Sequence, residues 1–306
     1  MFEGRDIKTA KIVSSDDLRF LDQVDQDGYV CPECSIKIIP SSFRKENKVR
    51  PHFKIPAGTD HLAHCSEALR KVYIKVSRKQ FIKSNSGEPY LLVGRLAEPS
   101  NHREVVEQPT TGGNTSTKIK TGHIPTKELA DIKHENKPRK RSTVSLERIV
   151  DDYIQFPNNR EVSPLELPGV EPGTYATLFK EVKDVANPET GKSMVYYCKM
   201  AFAQKAFIRE DSIVVFLAVG RWVPSTSEVK GHWLNQLTTV LDTKGWNSRH
   251  TENILDEINL VNELARASYK TKSKKNGYAF IFGSIEDGAF RVSNHRHICF
   301  VYDSVV

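Results

Sequence analysis

Three cysteines and a histidine in the N-terminal part of the chain are the residues best placed to do chemistry. Cys31-Pro32-Glu33-Cys34 is followed by His52 and Cys65, with two, seventeen and twelve residues between successive members. A Cys-x-x-Cys turn presents two thiolates to one side of a tetrahedral ion, and a ligand pair from a later segment completes the shell. Thiolates need a metal or a base to persist near neutral pH, and Zn²⁺ supplies that directly. The expected cofactor is therefore zinc, held by Cys31, Cys34, His52 and Cys65. Cys65 is preferred as fourth ligand because thiolates usually pair in closed sites, with His61 and His64 as the other candidates. Four protein ligands leave no position for a catalytic water, so the zinc is expected to be structural. A redox dithiol is the competing reading, but no βαβ pattern surrounds the two cysteines.

Signals for catalysis are weaker, and an enzyme is not the favoured reading. An acid-x-Lys triplet at a strand end, with a second acid nearby, could hold Mg²⁺ and polarise a water in a nuclease. Three triplets have that shape: Glu181-Val182-Lys183, Glu228-Val229-Lys230 and Asp242-Thr243-Lys244. The last ends an apolar run and makes Asp211, Asp242 and Lys244 the catalytic candidates. The plain reading is a solvated strand end in a chain that is 27% charged. Asn294-His295-Arg296-His297 puts two imidazoles at one strand parity, where they could bind metal or phosphate, though a surface turn is the favoured reading. Tyr269 to Lys275 interleaves lysines with an aromatic ahead of Tyr278, Phe280 and Phe282. That combination suits phosphate neutralisation and base stacking, or else a solvated loop entering a core strand.

The elements that must position these residues can be read from pattern. Gly28-Tyr29-Val30, Ile36 to Pro40 and Val49 to Phe53 read as short strands around the knuckle. Ser66 to about Ile82 reads as a helix with Leu69, Val72, Tyr73 and Val76 on its apolar side and Arg70, Lys71, Lys75, Arg78 and Lys79 on a basic one. Residues 98–148 carry almost no large apolar side chains, which predicts a disordered linker. Its basic run includes Lys137, Arg139, Lys140 and Arg141. Beyond it, Ser145 to Ile154 could be a helix or an extended arm. Tyr175–Val182, Ser193–Phe202, Ser212–Val219 and Trp233–Leu241 read as strands, and Ser248–Ala267 as a long helix with Ile254, Leu255, Ile258, Val261 and Leu264 on one face. Tyr278–Gly283 and Ile298–Tyr302 close the pattern. The expected fold is α+β: a zinc-ribbon domain over 1–97, a flexible basic linker over 98–148, and a mixed or antiparallel sheet with one long helix over 149–306.

The 306 residues suffice for two cores, and the net charge of +7 permits an anionic partner. The pI is about 9.0 and the mean hydropathy −0.47. No eighteen-residue apolar run exists, so no membrane span is expected. The polar start lacks a secretory pattern, and five cysteines without a disulfide framework suit a reducing cytoplasm.

Tyr29-Val30-Cys31-Pro32-Glu33-Cys34, Arg50-Pro51-His52-Phe53 and Cys65-Ser66-Glu67 together resemble the N-terminal zinc module of the competence protein CoiA family, over about residues 28–71. Where that family commonly has His-Phe-x-His, this chain has Ile55 at the second position, which implies a ligand displaced to His61 or His64. The family's nuclease-like domain does not follow here. The resemblance implies a bacterial or mobile-element protein that acts on DNA. The expected partner is accordingly nucleic acid, DNA in particular, contacted by Arg70, Lys71, Lys75, Arg78 and Lys79 with help from Lys137 to Arg141. A Mg²⁺-dependent nuclease and a protein–protein adaptor within a larger complex are the alternatives.

Overall fold

The computed structural model describes residues 1–44, 47, 51–63, 65–83, 90, 92–97, 142–143, 145–183, 191–224, 231–234, 236–246, 248–271 and 275–303. The fold is α+β. Its first sheet is antiparallel throughout, in the order β2-β1-β3-β4-β5, formed by β1 (Glu3–Asp6), β2 (Ile12–Ser14), β3 (Tyr29–Val30), β4 (Lys37–Ser41) and β5 (His52–Lys54). These strands are too short to bury much. Their core is a small cluster of Leu18, Tyr29, Ile38, Phe53 and the three N-terminal cysteines.

Helix α1 (Ser66–Ser77) leaves this module. Beyond it, β6 (Arg95–Leu96) pairs in parallel with β7 (Ser142–Thr143). Helix α2 (Leu146–Gln155) follows, its first turn capped by Ser145, whose hydroxyl accepts from the Glu147 N–H at 3.3 Å. The expectation of a linker over 98–148 is thus corrected at its C-terminal end, where Ser142–Thr143 form β7 and Leu146 begins α2. Tyr175 to Val182 is corrected too. A capping box at Thr174 and Thr177 winds Tyr175–Leu178 into a short helix, α3, and only Phe179–Glu181 is extended. Short strands β8 (Pro164–Leu165) and β9 (Gly173–Thr174) precede it.

Two larger sheets carry the rest. One has the order β10-β11-β17-β20, from β10 (Phe179–Glu181), β11 (Met194–Lys199), β17 (Asn276–Gly283) and β20 (Ile298–Asp303). The other runs β12-β13-β16-β19-β18, from β12 (Phe207–Arg209), β13 (Ser212–Phe216), β16 (Thr238–Asp242), β18 (Ile285–Glu286) and β19 (Ala289–Val292). The single strand expected over Trp233–Leu241 is two: β15 (His232–Leu234) pairs with β14 (Arg221–Val223), while β16 joins the main sheet. The long helix, α4, spans Ser248–Lys270.

The four-stranded sheet is buried on both faces, as strand alternation dictates. Along β17, Tyr278, Phe280 and Phe282 join a core with α2 and with Ile82, Tyr90, Leu92, Val93 and Leu96. Ala279 and Ile281 point the other way, into a core shared with the five-stranded sheet and α4. Gly277 lets α4 approach, since a Cβ there would sit 2.8 Å from Val261 Cγ1. Packing therefore runs without a break from Ile82, Tyr90, Leu92, Val93 and Leu96 into the C-terminal sheet. Among the described residues, no helix is long and apolar enough to cross a membrane.

Candidate metal centre

The knuckle lies between β3 and β4. Ser35 adopts a left-handed conformation (φ 57°), and Cys31 N–H donates to Ile36 O at 2.8 Å while Ser35 N–H donates to Cys31 O at 3.0 Å. That tight turn aims Cys31 and Cys34 inward. From the other side, a turn closed by Cys65 N–H to Leu62 O, 2.8 Å, sets His61 beside Cys65, which is also the N-cap of α1. Cys31, Cys34, His61 and Cys65 gather their ligand atoms within 4.8 Å of one another and could hold a metal ion.

The separations fit that role. Cys31 Sγ and Cys65 Sγ are 3.7 Å apart. His61 Nδ1 lies 3.3 Å from Cys34 Sγ and 3.4 Å from Cys65 Sγ. A tetrahedron with metal–sulfur bonds of about 2.3 Å and metal–nitrogen bonds of about 2.0–2.1 Å has S···S edges of roughly 3.8 Å and S···N edges of roughly 3.5 Å.

Electrostatics favours one thiolate in the cluster even before a metal enters. Burial works against ionisation of Cys34, but contact with His61 and the backbone N–H groups of Ile36 and Leu62 outweigh it, and the thiol comes down to about 6. Burial pushes the Cys31 and Cys65 thiols up, although backbone amides of Glu33 and Cys34 point at Cys31, and that of Glu67 at Cys65. Those same amides stabilise thiolate once a cation removes the proton. Glu33, from inside the knuckle, accepts from the Ser66 backbone N–H at 2.6 Å and from the Ser66 hydroxyl, so the Cys31–Cys34 turn also caps α1.

Three of the four expected ligands are therefore brought together. His52 is not among them. It faces Ser41 across the β4–β5 ladder, at the end of β4 remote from the knuckle, and four residues of strand carry it about 13 Å away. His61 takes its place. His64 lies outside the described residues, as do Lys137, Arg139, Lys140 and Arg141.

The basic helix is rotated from its expected setting. Arg70 is buried, not displayed. Its guanidinium pairs with Asp151 and, at 2.7 Å, with Asp152, both on α2. Arg148 completes the network, 2.9 Å from Glu67 of α1. Tyr73 and Ile74 turn to the core, whereas Val72 and Val76 face solvent. Arg70 is thus a docking residue of α1, which corrects its assignment as a nucleic-acid contact. Lys71, Lys75 and Lys79 remain exposed, and Arg78 stands half in solvent, 3.7 Å from Asp303.

The catalytic candidates occupy a turn. Ser212 is opposite Asp242 in the ladder, so Asp211 and Asp242 do lie at the same end of neighbouring strands. Asp242 Oδ1 accepts from the Lys244 backbone N–H at 2.9 Å, and Thr243 N–H donates to Asp211 O at 2.7 Å, which is the bonding of an exposed turn. Glu181 pairs with Lys183 at 2.9 Å on the surface, and Glu228 to Lys230 fall outside the described residues. Asn294 to His297 is a capped 3₁₀ turn and not a strand. Its imidazoles part company: His295 meets the His250 ring at 4.9 Å, and His297 meets Phe282 at 5.0 Å.

No protein-family model, no curated protein and no solved structure matches this chain.

Proposed function

We propose that the protein is a zinc-dependent nucleic-acid-associating protein in which the ion is structural. One arrangement carries this reading: a buried Cys₃His tetrahedron whose fourth corner, Cys65, is the N-cap of a helix that turns Lys71, Lys75 and Lys79 to solvent. Zinc suits three thiolates and one imidazole, and a shell filled by protein leaves no open position for chemistry. The metal fixes the start of α1, the Arg70–Asp151–Asp152 contact fixes its middle, and the lysines project from a rigid mount. Rigidly placed cations on a chain of net charge +7 attract phosphate backbones. The resemblance of residues 28–71 to the CoiA zinc module points the same way, toward DNA in a bacterial setting.

The test is binding of labelled DNA and RNA to the zinc-loaded full chain from 50 to 200 mM salt. Affinity should fall steeply with salt, and the slope should drop by about 0.7–0.9 for each of Lys71, Lys75 and Lys79 changed to Ala. Affinity no better than that of a neutral control protein at 50 mM salt overturns the reading.

A further inference from the structure

The two lysine-rich segments that lie some two hundred residues apart in sequence meet at one end of the molecule. Helix α1 closes with Arg78, whose guanidinium lies 3.7 Å from Asp303 at the end of β20. Asp303 is the ladder partner of Asn276, the first residue of β17. The residue before it, Lys275, holds its ammonium 5.7 Å over the ring of Tyr302. Lys275 is tied back to the last turns of α4, because its carbonyl accepts from the Ser268 hydroxyl at 2.6 Å. On that same turn stand Tyr269 and Lys270. Tyr269 leans against Phe202 with 5.7 Å between ring centres, and Phe202 is held in turn by Arg266, which donates from Nε to its carbonyl at 2.7 Å. Lys205 follows three residues on and is exposed.

These contacts gather Arg78, Lys275, Lys270 and Tyr269 around one end of the four-stranded sheet, with exposed Lys75 and Lys79 on either side of Arg78 in the chain and exposed Lys205 beyond Phe202. Tyr269 is 75% exposed, the most exposed of the large apolar or aromatic residues described. A scattered exposed aromatic needs no explanation. This one is different in two respects. It leans on a second ring at a tilt of 43°, which limits its motion, and Lys270 and Lys275 stand near it in the chain, while the carboxylates beside Tyr302 are engaged, Asp303 by Arg78 and Asp151 by Arg70.

We propose that this end of the molecule is a track for single-stranded nucleic acid, with Tyr269 as the stacking platform and Lys75, Lys79, Lys270 and Lys275 along the phosphates. The inference rests on the nucleic-acid reading above and narrows it to a strand type and a place. An exposed ring with lysines nearby can accept the face of an unpaired base. In a duplex those faces are covered by stacking, so the ring adds nothing there. Stacking is indifferent to base identity, so binding should show little sequence preference.

The experiment uses the zinc-loaded full chain and fluorescence anisotropy with labelled dT20, rU20 and a 20-base-pair duplex. Both single strands should bind more tightly than the duplex. Tyr269→Ala should weaken single-strand binding about tenfold or more, while Tyr269→Phe, which keeps the ring, should stay near the parent. Changing Lys270 and Lys275 together to Ala should lower the salt slope on dT20 by about 1.4. Unchanged thermal melting of the Tyr269 variants shows that the fold is intact. If the duplex binds as tightly as the single strands, or if Tyr269→Ala binds like the parent, the track is wrong while nucleic-acid association survives. If none of the three probes binds, both readings fall together.

Discussion

His61 and His52 are both near the knuckle in sequence, and only one can reach it. His61→Ala, with His52→Ala beside it, separates them by elemental analysis. The first should lose most of about one zinc ion per chain, and the second should keep it. Equal metal content in the two variants would contradict the geometry. Cys31, Cys34 and Cys65 are visible in the sequence because cysteine is scarce here and two of the three form a known turn. His61 is not, because nothing in the spacing of positions 52, 61 and 64 distinguishes them. The β4–β5 register and the Leu62–Cys65 turn make the choice, and neither is written in residue types. In the turn before β20, burial against Trp246 and the neighbouring charges of His250 and Arg296 hold His295 down at about 4. The folded chain therefore binds fewer protons at this site than the unfolded chain between its ordinary value near 6.5 and about 4. Stability is present above that window and declines as pH falls through it, by up to about 3 kcal/mol. Urea midpoints across pH 4–7 should show the decline, and His295→Gln should flatten it.

At the scale of elements, α4 and α1 teach opposite lessons. The apolar positions of α4 repeat along one face, and the helix forms at Ser248–Lys270, close to the expected Ser248–Ala267. Residues after Cys65 also form a helix, but it is rotated from the setting its hydrophobic pattern predicts. Hydrophobicity alone places Val72 and Val76 inward and Arg70 outward. The opposite holds because Asp151 and Asp152, some eighty residues later, offer Arg70 a buried acidic pair. Burial pushes the Asp151 carboxyl up and Arg70 draws it back, so removing the guanidinium leaves two like charges in low dielectric. Arg70→Ala should cost about 3–5 kcal/mol in urea unfolding, far above the change at exposed Lys71 or Lys75. A loss below about 1 kcal/mol would mean that the pair does not dock α1. Short elements fare worst in sequence. Tyr175–Leu178 carries strand-forming residues, yet the Thr174–Thr177 capping box overrides them.

Across the whole molecule, the α+β class and the two apolar sheets follow from runs such as Ser212–Phe216 and Tyr278–Gly283. Which core each run serves does not, since Ile82, Tyr90, Leu92, Val93 and Leu96 form a short apolar set beside a polar stretch, with no pattern that names their partner. They find a partner in α2 and β17. Co-expressed as two chains, residues 1–97 and 142–306 should therefore copurify as a one-to-one complex, because leaving them apart exposes Tyr90, Leu92, Phe156 and Tyr175 to water. Two fragments that elute separately on gel filtration would show that the shared core is too weak to hold them.

The pairing of Arg95 with Ser142 and of Leu96 with Thr143 has a last consequence. The chain exits and re-enters at neighbouring points about 4.8 Å apart, the spacing of hydrogen-bonded strands. Doubling the length of a flexible insert between such points raises its closure entropy by only about 0.6 kcal/mol. This position is accordingly a natural socket for foreign cargo: a fluorescent protein or an affinity module spliced between Leu96 and Ser142 would leave the metal module and both sheets undisturbed.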